Sequence, residues 1–157
     1  AVAAGASIEQ IVTGLEVAQS PARRLQIKAL AQGGQIIDDS YNASPESVRA
    51  AIDVLASSSG RRVLVLGDMG ELGSDAAQLH TELGDYALSA GIDQLYTLGS
   101  LSAKASEAFK GQHFSDLESL KAPLFAEIER RDLTLLVKGS RSSNMDLVVD
   151  MLVTGNS

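Results

Sequence analysis

The run Val63-Leu64-Val65-Leu66 constrains this chain more than any other stretch, because four consecutive apolar residues stand between Arg61-Arg62 and Gly67 with no polar alternation. A strand wetted on one face alternates in polarity, so a continuous run reads as a central parallel strand covered on both faces. Parallel neighbours need crossover helices, and the sequence downstream supplies them. Ser74 is placed to cap a helix with apolar positions Leu79, Leu83 and Ala87, and Gly91 to end it. Leu95 to Leu98 reads as the next strand, followed by a short helix from about Ser102 to Phe109 ending at Gly111. His113 and Phe114 fit a short strand, and Ser115 with Glu118 forms a capping-box pattern for another helix. Pro123 inside that stretch predicts a kink or a break into two helices. Leu133 to Val137 is the last strand, and Met145, Val148, Val149 and Leu152 share one side of a final helix. The class is α/β: a Rossmann-like, mostly parallel sheet flanked by helices.

Upstream of Arg61 the pattern differs. Leu25 and Ile27 alternate with Gln26 and Lys28, and Gly33-Gly34 offers a turn into a second strand through Ile36-Ile37 to near Asp38, which predicts an N-terminal β-hairpin. Ser7 and Gln10 form a capping-box pattern ahead of an amphipathic helix from about Ile8 to Ala18, and Pro21 ends it. Residues 1–20 therefore read as the tail of a preceding unit and residues 21–157 as one domain. At 157 residues the chain has room for one proper core. It opens on Ala1 inside a helical segment, so it reads as a piece of a longer protein.

Charge and composition exclude several functions. A net charge of -7 and a pI near 4.7 argue against a sequence-independent nucleic-acid or anionic-membrane surface. Without cysteine there is no disulfide, thiol nucleophile or thiolate metal site, which fits the cytosol. No apolar run approaches bilayer-spanning length, and the first residues lack the basic start of a signal peptide.

Three polar loops follow predicted strands, which is where α/β proteins place ligand-binding groups. The first, Asp38-Asp39-Ser40-Tyr41-Asn42-Ala43-Ser44-Pro45, leads into a helix with Ser44 as N-cap, Pro45 in its first turn, and Val48, Ala51, Ile52 and Leu55 at helical spacing. Turn chemistry alone accounts for this composition, since Asp, Asn and Ser bond nearby backbone without any ligand. The second, Gly67-Asp68-Met69-Gly70-Glu71-Leu72-Gly73, is a Gly-rich strand-to-helix turn but not a dinucleotide fingerprint. Its glycine spacing is wrong, and Asp68 and Glu71 would oppose phosphates with like charge. The third, Val137-Lys138-Gly139-Ser140-Arg141, sets two cations beside free backbone N–H groups, an anion site suited to a carboxylate; ordinary surface charges are the other reading. His80 and His113 lack metal-ligand spacing and read as surface or helix-end residues, and Tyr86, Phe109, Phe114 and Phe125 as core.

In their order and spacing these loops resemble those of the Mur ligases, in the branch that adds D-alanyl-D-alanine to the cell-wall precursor. The first resembles Asp-Asp-Ser-Tyr-Asn-Ala-Asn-Pro, with Ser44 at the usual Asn; the second Gly-Asp-Met-x-Glu-Leu-Gly; the third Val-Lys-Gly-Ser-Arg, with Met145 and Asp146 where the family has Met and usually Glu. Arg24 resembles the Arg of a Gly-Arg-Leu entry motif, with Arg23 in place of Gly. The resemblance runs from about Arg24 to Met151 and implies the C-terminal domain of a cytoplasmic, ATP-dependent amide ligase. In that reaction ATP phosphorylates the terminal carboxylate of a UDP-N-acetylmuramoyl-tripeptide. That step leaves ADP; the amine of D-alanyl-D-alanine then attacks the acyl phosphate, forming the amide and releasing phosphate.

The resemblance further implies that Arg24, Asp39 and Asn42 contact nucleotide and that Lys138, Ser140 and Arg141 hold the incoming dipeptide. No catalytic residue or metal ligand is assigned to this chain. It contains no Gly-x-x-x-x-Gly-Lys-Ser/Thr loop, so ATP and Mg would be bound mainly by a central domain upstream, to which residues 1–20 would belong. The whole enzyme would be a monomer that closes about a hinge near Ser20 to Arg24, and this chain alone would be inactive. Two other classes remain open: a free-standing Rossmann-like nucleotide-binding module, and a noncatalytic interaction domain whose polar loops merely cap helices.

Overall fold

Leu64 and Leu66 bury against one layer of helices and Val63 and Val65 against another, as a strand covered on both faces requires. The computed structural model describes residues 22–155. In chain order the elements are β1 (Gln26–Ala29), β2 (Gln35–Asp39), α1 (Pro45–Ala56), β3 (Arg61–Gly67), α2 (Ala76–Ser89), β4 (Gln94–Leu98), α3 (Ala103–Phe109), β5 (Gln112–Phe114), α4 (Leu117–Ile128), β6 (Leu133–Lys138) and α5 (Asp146–Thr154). Single turns of 3-10 helix at Gly73–Asp75 and Arg141–Ser143 precede α2 and α5. The strands form one sheet in the order β1-β2-β6-β3-β4-β5, antiparallel between β1 and β2 and parallel elsewhere. The Rossmann-like class and the hairpin are as the sequence predicts. The expected helix over Ile8–Ala18, the boundary at residue 20 and most of the proposed hinge lie outside the described residues.

Direction and handedness fix the layers. The chain advances β2, β3, β4, β5 through α1, α2 and α3, then returns through α4 to place β6 between β2 and β3. Right-handed crossovers put the forward and return helices on opposite faces. Val48, Ile52 and Leu55 of α1, Leu83 and Ala87 of α2 and Phe109 of α3 thus pack on Ile37, Leu64, Leu95 and Leu136. Leu120 and Leu124 of α4 and Val148, Val149 and Leu152 of α5 pack on Ile36, Val63, Val65, Leu135 and Val137. Each Val, Leu, Ile or Phe side chain so buried contributes about 1.5–3 kcal/mol. Beneath α4, Glu127 takes a two-point contact from Arg61, at 2.7 Å on each oxygen, and a hydrogen bond from the Tyr96 hydroxyl at 2.8 Å.

The helix ends depart from the sequence reading in instructive ways. Ser44 does cap α1: its Oγ accepts the Ser47 N–H, Ser47 Oγ accepts the Ser44 N–H, and Pro45 opens the helix. Ser74 does not cap α2, because the chain first makes the 3-10 turn Gly73–Asp75. For α4 the cap is Asp116, one residue past Ser115, accepting the Ser119 N–H at 2.8 Å. The helix runs through Pro123 as one element instead of breaking in two. Its apolar face, anchored by Leu120 on one side of the proline and Leu124 on the other, offsets the lost hydrogen bond. At the end of α3 the left-handed residue is Lys110, with φ 67°; Gly111 instead makes room, since a Cβ there would lie 2.3 Å from the Leu95 carbonyl oxygen. Of the aromatics read as core, Phe109 is buried, while Tyr86 is half-buried against the same helix layer and Phe114 and Phe125 against the opposite one.

Candidate functional site

The C-terminal ends of β2, β6 and β3 lie side by side, with Asp39 in register with Lys138 and Lys138 with Leu66. The chain leaves β2 and β3 toward one face and β6 toward the other, which opens a crevice at this reversal of strand order. All three polar loops project into it.

Successive residues of a strand face opposite ways, and this separates the two aspartates of β2. Asp38 Oδ1 accepts the N–H and Oγ of Ser40, and its Oδ2 pairs with Arg23 at 3.2 Å and Lys28 at 3.1 Å. Arg23 also reaches Asp150 on α5 at 2.9 Å, tying the entry turn to the far helix layer. Asp39 Oδ1 accepts the Leu25 N–H, and its Oδ2 takes the Lys138 ammonium at 2.8 Å. Lys138 donates a second hydrogen bond to the Asn42 carbonyl at 2.9 Å, so β6 holds the first loop from below. Burial pushes the Asp39 carboxyl above its ordinary range, outweighing the opposing pull of the Lys138 charge, its hydrogen bond and the Leu25 N–H.

Two cavities flank the first loop. One, of about 360 Å³, is lined by Arg24, Asp39, Asn42 and Lys138 with the start of α1. The other, of about 550 Å³, lies between Asn42–Ser44, Gly70–Leu72 and Ser140–Ser142. Asn42, Ala43 and Ser44 form the shared wall. At the rim the guanidinium carbons of Arg24 and Arg141 stand 4.2 and 5.3 Å from the ring centre of Tyr41, within cation–π reach.

Glycine lets two loops approach each other. A Cβ on Gly139 would fall 3.2 Å from the Gly67 Cα and 2.5 Å from Met145 Cγ and Ser143 Oγ. Ser140 N–H donates to the Asp68 carbonyl at 2.9 Å, joining the second and third loops. The Asp68 carboxylate accepts the Leu101 and Ser102 N–H groups, so it stabilises the turn into α3 instead of facing a ligand in the second cavity. His80 overturns its sequence reading: it is wholly buried, and its Nε2 accepts the Met69 N–H at 3.0 Å. His113 is exposed and meets Thr97 Oγ1 at 2.8 Å.

A model of the Mur ligase, glutamate ligase domain matches residues 23–141, a span holding all three loops. The chain belongs to the Mur ligase family. It is 42% identical over 150 residues to the UDP-N-acetylmuramoyl-tripeptide–D-alanyl-D-alanine ligase of Escherichia coli, covering 94% of this chain and 33% of that protein. A crystal structure of MurF from Acinetobacter baumannii superposes with a TM-score of 0.81 at 36% identity, over 96% of this chain and 34% of that one. MurF from Thermotoga maritima, crystallised with ADP, shares the fold at 24% identity and a TM-score of 0.73, over 94% of this chain and 37% of that one. This chain thus spans about a third of the length of these relatives.

Within the Mur ligase frame, the fold gathers Arg24, Asp39 and Asn42 on one cavity and Ser140 and Arg141 on its neighbour. Lys138 sits with the first group, its ammonium engaged by Asp39 and Asn42. Tyr41 and His80 were not among the predicted site residues. The wide spacing of Arg24, Tyr41 and Arg141 carries no signal of their meeting; for His80, the clue is its helical spacing from Ala76, Leu83 and Ala87, which puts it on the buried face of α2. Among the described residues no group of three or more His, Asp or Glu is placed to hold a metal ion, and no helix is long and apolar enough to cross a membrane.

Proposed function

We propose that this chain is the C-terminal domain of an ATP-dependent ligase that joins D-alanyl-D-alanine to a UDP-N-acetylmuramoyl-tripeptide. The reading rests on the convergence of three family-type loops on adjoining cavities at one sheet edge. Residues 1–20 belong in this reading to a central nucleotide-hydrolysing domain, and the whole protein is a cytoplasmic monomer.

The two cavities divide the ligands. Arg24 and Asn42 take the nucleotide: the guanidinium pairs with phosphate, and the amide bonds ribose or base. Asp39 lines the same cavity but its carboxylate is already bonded, so it contributes by fixing Leu25 and Lys138 around the nucleotide. Ser140 and Arg141 take the dipeptide, the guanidinium meeting its carboxylate in a two-point contact. Lys138 acts on the dipeptide from behind, by holding the Asn42 wall that the two cavities share. Bound Mg-ATP supplies the activated phosphoryl group, with the metal held mainly by the central domain. This chain's residues orient the acceptor and shield the site from water on domain closure.

The test is ATP-dependent joining of D-alanyl-D-alanine to the UDP-linked tripeptide by the full-length protein, with phosphate release measured in parallel. Absence of product despite a folded, ATP-binding protein would refute the assignment. In that enzyme Arg24→Ala should raise the KM for ATP about 10-fold or more, the loss of a charge-assisted contact; unchanged ATP kinetics would remove Arg24 from the site.

A further inference from the structure

We infer that His80 is a positioning residue for the dipeptide side of the site, holding the Gly67–Gly73 loop as a neutral imidazole protonated on Nδ1. The inference rests on the proposed ligase reading for what the loop serves, and on the geometry alone for how the loop is held.

Both ring nitrogens face main chain. Nδ1 lies 2.7 Å from the Ala76 carbonyl, one turn back on α2, and Nε2 lies 3.0 Å from the Met69 N–H. A carbonyl can only accept and an N–H can only donate, so the ring must donate from Nδ1 and accept at Nε2. One protonation state satisfies both contacts, and the ring is wholly buried, out of reach of bulk solvent.

The consequence for the site follows along the chain of contacts. Met69 is anchored twice, by His80 at its N–H and by its side chain in the core beneath α1 and α2. The preceding carbonyl, that of Asp68, receives the Ser140 N–H. Displacing Met69 therefore moves the acceptor that orients Ser140, together with Gly70, Glu71 and Leu72 on the wall of the larger cavity. The cavity lined by Arg24, Asp39 and Lys138 contains no residue of this loop. Loss of the imidazole should thus weaken the dipeptide side and spare the nucleotide side.

Gln and Asn separate the two contacts, since a Gln amide oxygen reaches about as far as Nε2, whereas an Asn amide reaches only about as far as Nδ1. In the full-length enzyme, His80→Asn should raise the KM for D-alanyl-D-alanine about 10-fold and leave the KM for ATP within about 2-fold, with His80→Gln restoring most of the loss. Long-range proton–nitrogen NMR correlation on the 157-residue chain should give the Nδ1–H tautomer for His80, and amide exchange at Met69 should quicken about 10-fold in the Asn variant. An Nε2–H tautomer, unchanged Met69 exchange, or equal KM changes for both substrates would overturn the inference. If wild-type full-length protein shows no ligation, the ligase reading fails by itself, and tautomer and exchange still decide whether His80 holds the loop.

Discussion

Removing the Lys138 ammonium should cost the fold more than any change to an exposed charge of this domain, and the cost should depend on Asp39. The pair is 2.8 Å apart, with side-chain exposures of 4% and 10%. At an effective dielectric near 20 the gross attraction is roughly 6 kcal/mol, most of it consumed by the desolvation of both groups. Lys138→Met leaves a carboxylate buried without its partner and the Asn42 carbonyl without its donor, a loss of about 3–5 kcal/mol near pH 7. At this chain length that lowers the Tm by roughly 10 °C. The pH dependence has a definite sign. Burial already raises the Asp39 carboxyl above its unfolded value, so its ionisation opposes folding, and stability is lost as pH rises through the folded pKa. Without Lys138 that pKa climbs further, so the penalty of Lys138→Met should shrink as pH falls from about 7 toward 5. In an Asp39→Asn background the same substitution should cost at least about 2 kcal/mol less, because no charge is left stranded. Urea unfolding followed by circular dichroism, on the four proteins of the cycle at both pH values, measures each quantity. An equal cost in both backgrounds, independent of pH, would refute the argument and leave packing of the lysine stem as the cause.

Other expectations can be checked as directly. Tyr41→Phe should keep the affinity of the full-length enzyme for ATP, whereas Tyr41→Leu should weaken it about 2- to 5-fold, the worth of an exposed cation–π contact to Arg24, read by isothermal titration. Gly84→Ala should destabilise by about 1–3 kcal/mol in chemical unfolding, although alanine is the better helix former, because its Cβ would lie 2.2 Å from the Ala105 carbonyl oxygen. Burial alone would raise the Glu127 carboxyl, but hydrogen bonds from Arg61 and Tyr96 and the Arg61 charge outweigh it and hold it low. The penalty of Glu127→Gln should therefore be present above about pH 4.5 and fade as pH falls through that lowered pKa, as acid unfolding of both proteins would reveal. Burial and the Glu127 contact push the Tyr96 hydroxyl up to about 12, so in ultraviolet titration it should ionise near there in the folded protein and near 10 once urea has unfolded it.

Local chemistry and tertiary contact explain which features were legible from sequence. Val63–Leu66 must be covered on both faces whatever surrounds it, and Ser44 with Pro45 makes a helix start from two adjacent residues, so both are readable. The unbroken helix through Pro123 is not legible locally, because the cost of the proline is fixed by its neighbours, while the burial of Leu120 and Leu124 that offsets it depends on a sheet elsewhere in the sequence. Gly111 was read as a helix stop by its position; its actual constraint is the approach of Leu95 from β4. In the site, resemblance located the three loops, but the division of labour came only with the fold. Lys138 and Arg141 are three residues apart and were assigned together. Strand register aims Lys138 at Asp39, and the turn after Gly139 carries Arg141 to Tyr41.

That separation bears on how an acidic domain receives anionic ligands. With a net charge of -7 the long-range field repels nucleotide and carboxylate alike, so attraction must be local. At physiological ionic strength, charges more than about 8 Å away are largely screened. The nearest cations then decide. Lys138 and Arg23 are bound to Asp39, Asp38 and Asp150, and their charge serves the fold. Arg24 and Arg141 stand at the exposed rim, both within cation–π reach of the Tyr41 ring, which attracts cations without itself neutralising them. A carboxylate in the place of Tyr41 would fix both guanidinium groups more tightly and cancel the charge they present. The phenol ring gathers the two guanidinium groups without itself neutralising them, beside the two cavities assigned to the anionic ligands.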